Sequence, residues 1–181
     1  SPESRRLLTT GEDGVAMLWD TQTGEPLAKP MRHGRPDLDS LNIVTSDVFS
    51  SDGRYILTTS LDHTARVWDA ASGKEIALLV NPHRVADAVW SPDGSRILTS
   101  YWYGGAMLWD ATTFRPIGAP MTHGATVRKA RFTPDGNKIV TSSLDKTARI
   151  WDGHTAKPLS PPLNHPDFVW DLDISPDGKL F

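Results

Sequence analysis

The chain has 181 residues, 38% hydrophobic and 23% charged, with a net charge of −3, which suits one globular domain or a piece of a larger one. That balance provides no basic surface for nucleic acid or anionic lipid, and no apolar run approaches the roughly 20 residues of a membrane helix. Without any cysteine, disulfides, thiol catalysis and cysteine-ligated zinc are excluded.

The chain opens on Ser1-Pro2-Glu3-Ser4, a degraded copy of a tetrapeptide that returns as Ser50-Ser51-Asp52-Gly53, Ser91-Pro92-Asp93-Gly94, Thr133-Pro134-Asp135-Gly136 and Ser175-Pro176-Asp177-Gly178. A second marker is a Trp-Asp pair, at Trp19-Asp20, Trp68-Asp69, Trp109-Asp110 and Trp151-Asp152. The tetrapeptides start 49, 41, 42 and 42 residues apart, and the Trp-Asp pairs 49, 41 and 42. Two independent markers with one period define a repeat. Its copies run over about 1–49, 50–90, 91–132 and 133–174, with the start of another at 175–181.

Each period reads as four short strands. In the last full copy the first is Val127 to Phe132, where Ala130 and Phe132 alternate with Lys129 and Arg131. The turn Pro134-Asp135-Gly136 follows, in which proline presets the first corner and glycine accepts the left-handed conformation. Lys138 to Ser143 is the second strand, Leu144-Asp145-Lys146 its turn, and Ala148 to Trp151 the third strand. The fourth runs from Lys157 to Leu163. Prolines recur four apart in it, at Pro26 and Pro30, Pro116 and Pro120, Pro158 and Pro162. Proline cannot donate to a ladder, so this strand is expected at the rim of its sheet. A further first strand is expected over Val169 to Ile174. No segment carries a helical apolar period, and the fold expected is all-β.

The stretches Ser60 to Asp69 (SLDHTARVWD) and Ser143 to Asp152 (SLDKTARIWD) resemble WD repeats, as do the SPDG turns and a His about 12 residues before the turn Asp, with seven extra residues after His33. The resemblance covers the whole chain. It implies a β-propeller of four-stranded antiparallel blades. About four repeats are present, and they are expected to form an open arc or a fragment of a seven- or eight-bladed propeller. Closure into a four-bladed ring, with Val169–Ile174 completing the first blade, is the alternative. An arc exposes two blade faces, so the chain alone is expected to be marginal or to oligomerise.

In that family a His, a Ser or Thr, an Asp and the Trp of each blade form a buried hydrogen-bonded tetrad. The complete sets here are His123, Thr141, Asp145, Trp151 and His33, Thr58, Asp62, Trp68; the first repeat keeps Thr9, Asp13 and Trp19. Thr141 is preferred to Ser143 because its counterparts are Thr9, Thr58 and Thr99. His165 is placed for a blade that follows. The third repeat departs: Asn81 stands where His is due, His83 is off register, and Tyr103 replaces the Asp. That blade is expected to be held by packing alone.

A Thr–His–Asp set suggests a hydrolase triad, but it recurs in successive repeats, whereas an enzyme needs one site, and a buried Thr meets no substrate. The six histidines do not cluster for zinc, and there is no phosphate-binding loop or kinase motif. Sialidase-type Asp boxes fail after Ser60-Leu61-Asp62. The chain therefore reads as a non-enzyme without metal or cofactor. An enzyme with a central-channel site is the alternative, and it rests on Asp47, Asp87, Asp171 and Asp173 in the first strands. Asp47 stands where its counterparts are Ala88, Ala130 and Leu172, which marks it for an unpaired buried charge.

The resemblance implies binding of protein partners through the narrow top face. The matching positions are Arg84, Ala86, Thr126, Arg128, Phe168 and Trp170 beside the first strands, and Leu61, Trp102 and Leu144 before the tetrad Asp, with Tyr103 next to Trp102. Aromatic and Arg residues of this kind are enriched at interface hot spots. Trp102 and Tyr103 are the leading pair. The rim stretch TGEPLAKPMRH (Thr23 to His33) is similar to propeller regions of large bacterial multidomain proteins, many with a serine/threonine kinase domain upstream. On that likeness the chain is a scaffold or sensor whose other partners are the remaining blades of its parent. The compartment expected is cytoplasmic; the alternative is the extracytoplasmic part of a membrane-anchored kinase.

Overall fold

A computed structural model describes residues 5–34 and 42–180. The degraded tetrapeptide at 1–4 lies outside them. Among the described residues every element is a strand or a turn, and no helix is long and apolar enough to cross a membrane.

Among the described residues fifteen strands make four sheets. The first holds β1 (Arg6–Thr10), β2 (Val15–Asp20) and β3 (Met31–Arg32). The second holds β4 (Val44–Phe49), β5 (Tyr55–Ser60), β6 (Thr64–Asp69) and β7 (Glu75–Val80). The third holds β8 (Val85–Trp90), β9 (Arg96–Tyr101), β10 (Gly105–Asp110) and β11 (Pro116–Thr122). The fourth holds β12 (Val127–Phe132), β13 (Lys138–Ser143), β14 (Thr147–Asp152) and β15 (Leu163–Asn164). In each sheet the strands lie in chain order. That is a meander of antiparallel neighbours, the form of a propeller blade. The chain divides into two compact units, Ser1–Ala88 and Val89–Phe181.

Both repeat markers have a local cause. In the SPDG turn the Asp carboxylate gathers the turn: Asp52 Oδ1 accepts from Ser50 Oγ at 2.6 Å and from the Arg54 amide at 3.0 Å. Gly53 follows in the left-handed region at φ 68°, where a Cβ is costly. The Asp of Trp-Asp closes the turn between the third and fourth strands. Asp110 accepts the Thr112 and Thr113 amides at 2.9 and 2.7 Å, and Asp152 does the same with His154 and Thr155 at 3.0 and 2.8 Å. These bonds favour the charged carboxylate and hold both aspartates below their ordinary range.

Two expected strands are corrected. The rim strand from Lys157 to Leu163 is instead one bridge, Trp151 to Pro158, followed by the two-residue β15. The first sheet behaves alike, with a bridge from Trp19 to Pro26 and the short β3. The prolines place these segments at an edge, where they offer no donor to the ladder. The fourth strand is continuous in Glu75–Val80, which has no proline, and also in Pro116–Thr122, where the ladder takes in Pro116 and shifts register between Ala106 and Leu108. The segment Val169–Ile174 is not a paired strand; it neither extends the fourth sheet nor supplies a fourth strand to the first. A strand exists by pairing, and no strand lies beside this segment among the described residues.

Cores form where one sheet covers the next. In the first unit Leu8, Ala16, Leu18 and Met31 meet Phe49, Ile56, Trp68 and Ala70. In the second, Leu98, Ala106, Leu108 and Met121 meet Phe132, Ile139, Trp151 and Ala156. All these positions match between the two units except Ala70, whose counterpart is Gly153, and Ala156, so one contact is used twice.

Candidate functional site

The four threonines occupy the same place in their sheets, and each accepts from a tryptophan ten residues later. Trp19 Nε1 donates to Thr9 Oγ1 at 2.8 Å, Trp68 to Thr58 at 2.8 Å, Trp109 to Thr99 at 3.0 Å and Trp151 to Thr141 at 2.9 Å. The bond crosses adjacent antiparallel strands and needs nothing else. This corrects the expectation for the third blade, which keeps its Trp–Thr bond and is not held by packing alone.

Two blades add the His and Asp. His33 Nε2 lies 2.7 Å from Thr58 Oγ1, and His123 Nε2 lies 2.7 Å from Thr141 Oγ1. The opposite nitrogens face carboxylates: His33 Nδ1 to Asp62 Oδ2 at 3.4 Å, His123 Nδ1 to Asp145 Oδ2 at 3.0 Å. An ionised carboxylate only accepts, so Nδ1 carries the proton and Nε2 accepts from the Thr hydroxyl. Thr58 and Thr141 are fully buried, so each relay ends under the sheet.

Charge follows from these contacts. Burial lowers the basicity of both histidines, and the neighbouring carboxylates recover only part of it. Burial works against the Asp145 charge, but bonds from Thr147 and the Gly124 amide, with His123 beside it, hold it at about 2. Asp62 lies well below the carboxylate range: burial opposes its charge, and bonds from His33 and Thr64 outweigh it. A neutral His and an ionised Asp form a clamp, fully buried at His33–Asp62 and slightly exposed at Asp145. Each His comes from the loop after the preceding blade, so the clamp ties consecutive blades together.

The incomplete sets are placed as the sequence indicates. Asn81 takes the His position: its amide donates to the His63 carbonyl at 2.9 Å, as His33 and His123 donate to Gly14 and Gly104 at 2.8 Å. Tyr103 stands in the Asp position with φ 60° and is 68% exposed. The buried Tyr101 ring occupies the space left free by Gly105, which replaces Thr64 and Thr147: a Cβ on Gly105 would meet the Tyr101 hydroxyl at 2.9 Å. A ring and a glycine thus replace a polar set whose members are of no use singly. In the first blade Asp13 is exposed and accepts from the Val15 amide at 3.2 Å.

The model of the WD domain, G-beta repeat family matches residues 38–69, 74–110 and 115–152, more than half of the chain. The chain belongs to the WD40 family. Each WD40 match ends on the Asp of a Trp-Asp pair and carries a blade's first three strands. A search among curated proteins finds no significant match. WD40 repeats generally mediate contacts between proteins.

The positions expected on the WD40 top face fare differently. In the second unit four side chains come together. The Phe168 and Trp170 rings meet edge to face at 6.2 Å and 82°, Arg128 lies over Trp170 at 5.3 Å, and Lys146 lies over Phe168 at 5.8 Å. Phe168 is 48% exposed and Trp170 59%. Lys146 was not singled out from the sequence, although it adjoins Asp145 in the turn. Trp102, Leu144 and Arg84 are half-buried, and Tyr103 is exposed. Leu61 is buried, which corrects its assignment to a contact surface; it packs beneath the loop, its amide bonded to the Ile43 carbonyl at 3.0 Å.

The first-strand acids do not converge. Asp47 is half-buried, and burial raises its pKa, but it accepts from Thr10 Oγ1 at 3.1 Å and is not unpaired. Asp87 accepts from Ser46 Oγ at 2.8 Å, and Asp171 pairs with Lys129 at 2.5 Å. Among the described residues no three His, Asp or Glu gather as metal ligands.

One repeated device escaped the sequence reading. Arg96 is 5% exposed; it donates to the Gly136 carbonyl at 3.0 Å and to the Gly153 carbonyl, and stacks on Phe132 at 5.5 Å. Arg6, at the same repeat position, donates to Gly53 at 2.9 Å and stacks on Phe49 at 5.6 Å. Each arginine starts a second strand and reaches the SPDG turn of the next blade. The signal was legible as an Arg and an aromatic at fixed places in successive repeats.

Proposed function

We propose that the chain is a non-catalytic scaffold that binds protein partners through the face bearing Phe168, Trp170, Arg128 and Lys146, with Trp102 and Tyr103 as further contacts. The observation that supports it is the exposed pair of large rings capped by two cations. Aromatic and Arg side chains held in place by one another lose little freedom on binding, and such groups dominate interface energetics. The reading extends to a module of a larger multidomain protein that supplies further blades, by the likeness of its rim strands to bacterial kinase-associated propellers.

Affinity capture with the wild type, Trp170→Ala and Trp102→Ala tests this, followed by titration of the purified partner. Circular dichroism serves as a folding control. Loss of a hot spot of about 2 kcal/mol weakens binding about 30-fold. Equal affinity of both variants and the wild type would remove this face from the function.

A further inference from the structure

We propose that the groove between the outer strands of the third and fourth sheets holds a glutamate from an extended segment of a partner protein, with Arg149 as its counter-ion. Both sheets lie in the unit Val89–Phe181. The groove has a volume of about 370 Å³. The strand β11 contributes Pro120 and Thr122 to it, β14 contributes Arg149 and Trp151, and the segment after β14 contributes Lys157 and Pro158.

The second blade carries the same arginine with its acid in place. Arg66 stands opposite Thr58 as Arg149 stands opposite Thr141. Arg66 Nη1 donates to Glu75 Oε2 at 2.7 Å, and its Nη2 donates to the Gly34 carbonyl at 2.9 Å. Glu75 is placed for this by its pairing with Trp68. In the first and third blades the arginine position holds Met17 and Met107, and the position opposite the tryptophan holds Pro26 and Pro116. An arginine thus comes with a glutamate, and a methionine with a proline. The fourth blade breaks that rule, because Arg149 comes with Pro158 opposite Trp151.

Arg149 is left short of acceptors. Its Nη2 lies 4.0 Å from Asp145 Oδ2, beyond hydrogen-bond reach. Asp145 is already engaged by His123, Thr147 and the Gly124 amide. The Nε of Arg149 is buried without a hydrogen-bond partner, and such a donor is costly until an acceptor reaches it. A carboxylate matches the planar guanidinium fork with two parallel bonds, and Glu75 shows that this chain uses one at the equivalent site. Lys157, exposed on the same groove, adds a second positive charge. Trp151 and the two prolines offer apolar surface to the stem of the incoming side chain.

The acid comes from another chain because the segment 157–163, which bridges to β14 at Pro158, contains none. An extended segment suits the site because the groove runs beside β11, a seven-residue strand at the edge of its sheet. None of these residues belongs to the face bearing Phe168 and Trp170, so the two surfaces stand or fall separately.

The test is NMR of the isotope-labelled 181-residue chain, read at the Arg149 Nε–H and Trp151 indole signals. The titrants are the acetylated and amidated peptide Ala-Ala-Glu-Ala-Ala, its glutamine counterpart, and inorganic phosphate. The glutamate peptide is expected to shift both signals to saturation with a Kd on the order of 1 mM, and the glutamine peptide to leave them in place. Arg149→Met copies the first and third blades, so the fold is kept, and it should weaken binding about 10-fold at the Trp151 signal. Pro158→Glu supplies the carboxylate from within. It should move the Arg149 signal without any titrant and weaken the peptide by about the same factor. Circular dichroism verifies that both variants are folded. No response to the glutamate peptide, equal response to its glutamine counterpart, or unchanged affinity in Arg149→Met would each overturn the proposal. So would phosphate that shifts the Arg149 signal as readily as the peptide.

Discussion

Replacing Thr141 by Val removes one hydroxyl and orphans two buried partners. Trp151 Nε1 loses its acceptor at 2.9 Å, and His123 Nε2 loses its donor at 2.7 Å. Valine matches threonine in volume, so no cavity forms and the cost is that of unsatisfied polar groups. Each contributes about 1–3 kcal/mol, so the pair costs about 2–6 kcal/mol. Thr99→Val supplies the comparison in the same unit: it removes the acceptor of Trp109 at 3.0 Å from a blade with Asn81 in place of the His, and an orphaned indole costs about 1–3 kcal/mol. Urea unfolding followed by circular dichroism reads both, as a shift of midpoint at unchanged slope. In a His123→Ala background the Thr141→Val penalty should fall toward that of Thr99→Val, because the two groups act through one relay. A Thr141→Val penalty of the same size in the wild-type and His123→Ala backgrounds would refute the clamp.

Two further outcomes are expected. Arg96→Met should destabilise by about 2–4 kcal/mol, since it strips the Gly136 and Gly153 carbonyls of a buried charged donor, while Arg6→Met, at a half-exposed site, should cost less; equal unfolding midpoints for the two would contradict this. Stability should also decline as pH falls below 6.5. The unfolded histidines then take up protons that His33 and His123, with their lowered folded values, refuse. A second loss begins below 3.8, as the unfolded carboxylates protonate before Asp145, which holds out to about 2. His123→Gln should flatten the first decline when urea midpoints are plotted against pH, and an unchanged slope would show that His123 titrates alike in both states.

Taken alone, the sequence determined the repeat, the four-strand period and the tetrads. Each depends on residues at fixed spacing, and a ladder between neighbouring strands converts spacing directly into contact. Thr141 and Trp151 are ten residues apart in every blade, so their bond was legible without coordinates. The rim strands were legible in position but not in continuity, because the number of donors that prolines remove depends on which residues face the ladder. The tertiary structure alone decided what depends on stacking between sheets. It buried Leu61 and left Trp102 and Leu144 half-exposed, although the three sit at matching loop positions. It carried Arg96 across to the next blade's turn, and it joined Lys146 to Phe168 from separate loops. Above all it left Leu7 bare where Ile56 and Ile139 are covered, a difference set by the sheet that faces each one within its unit and not by the residue itself.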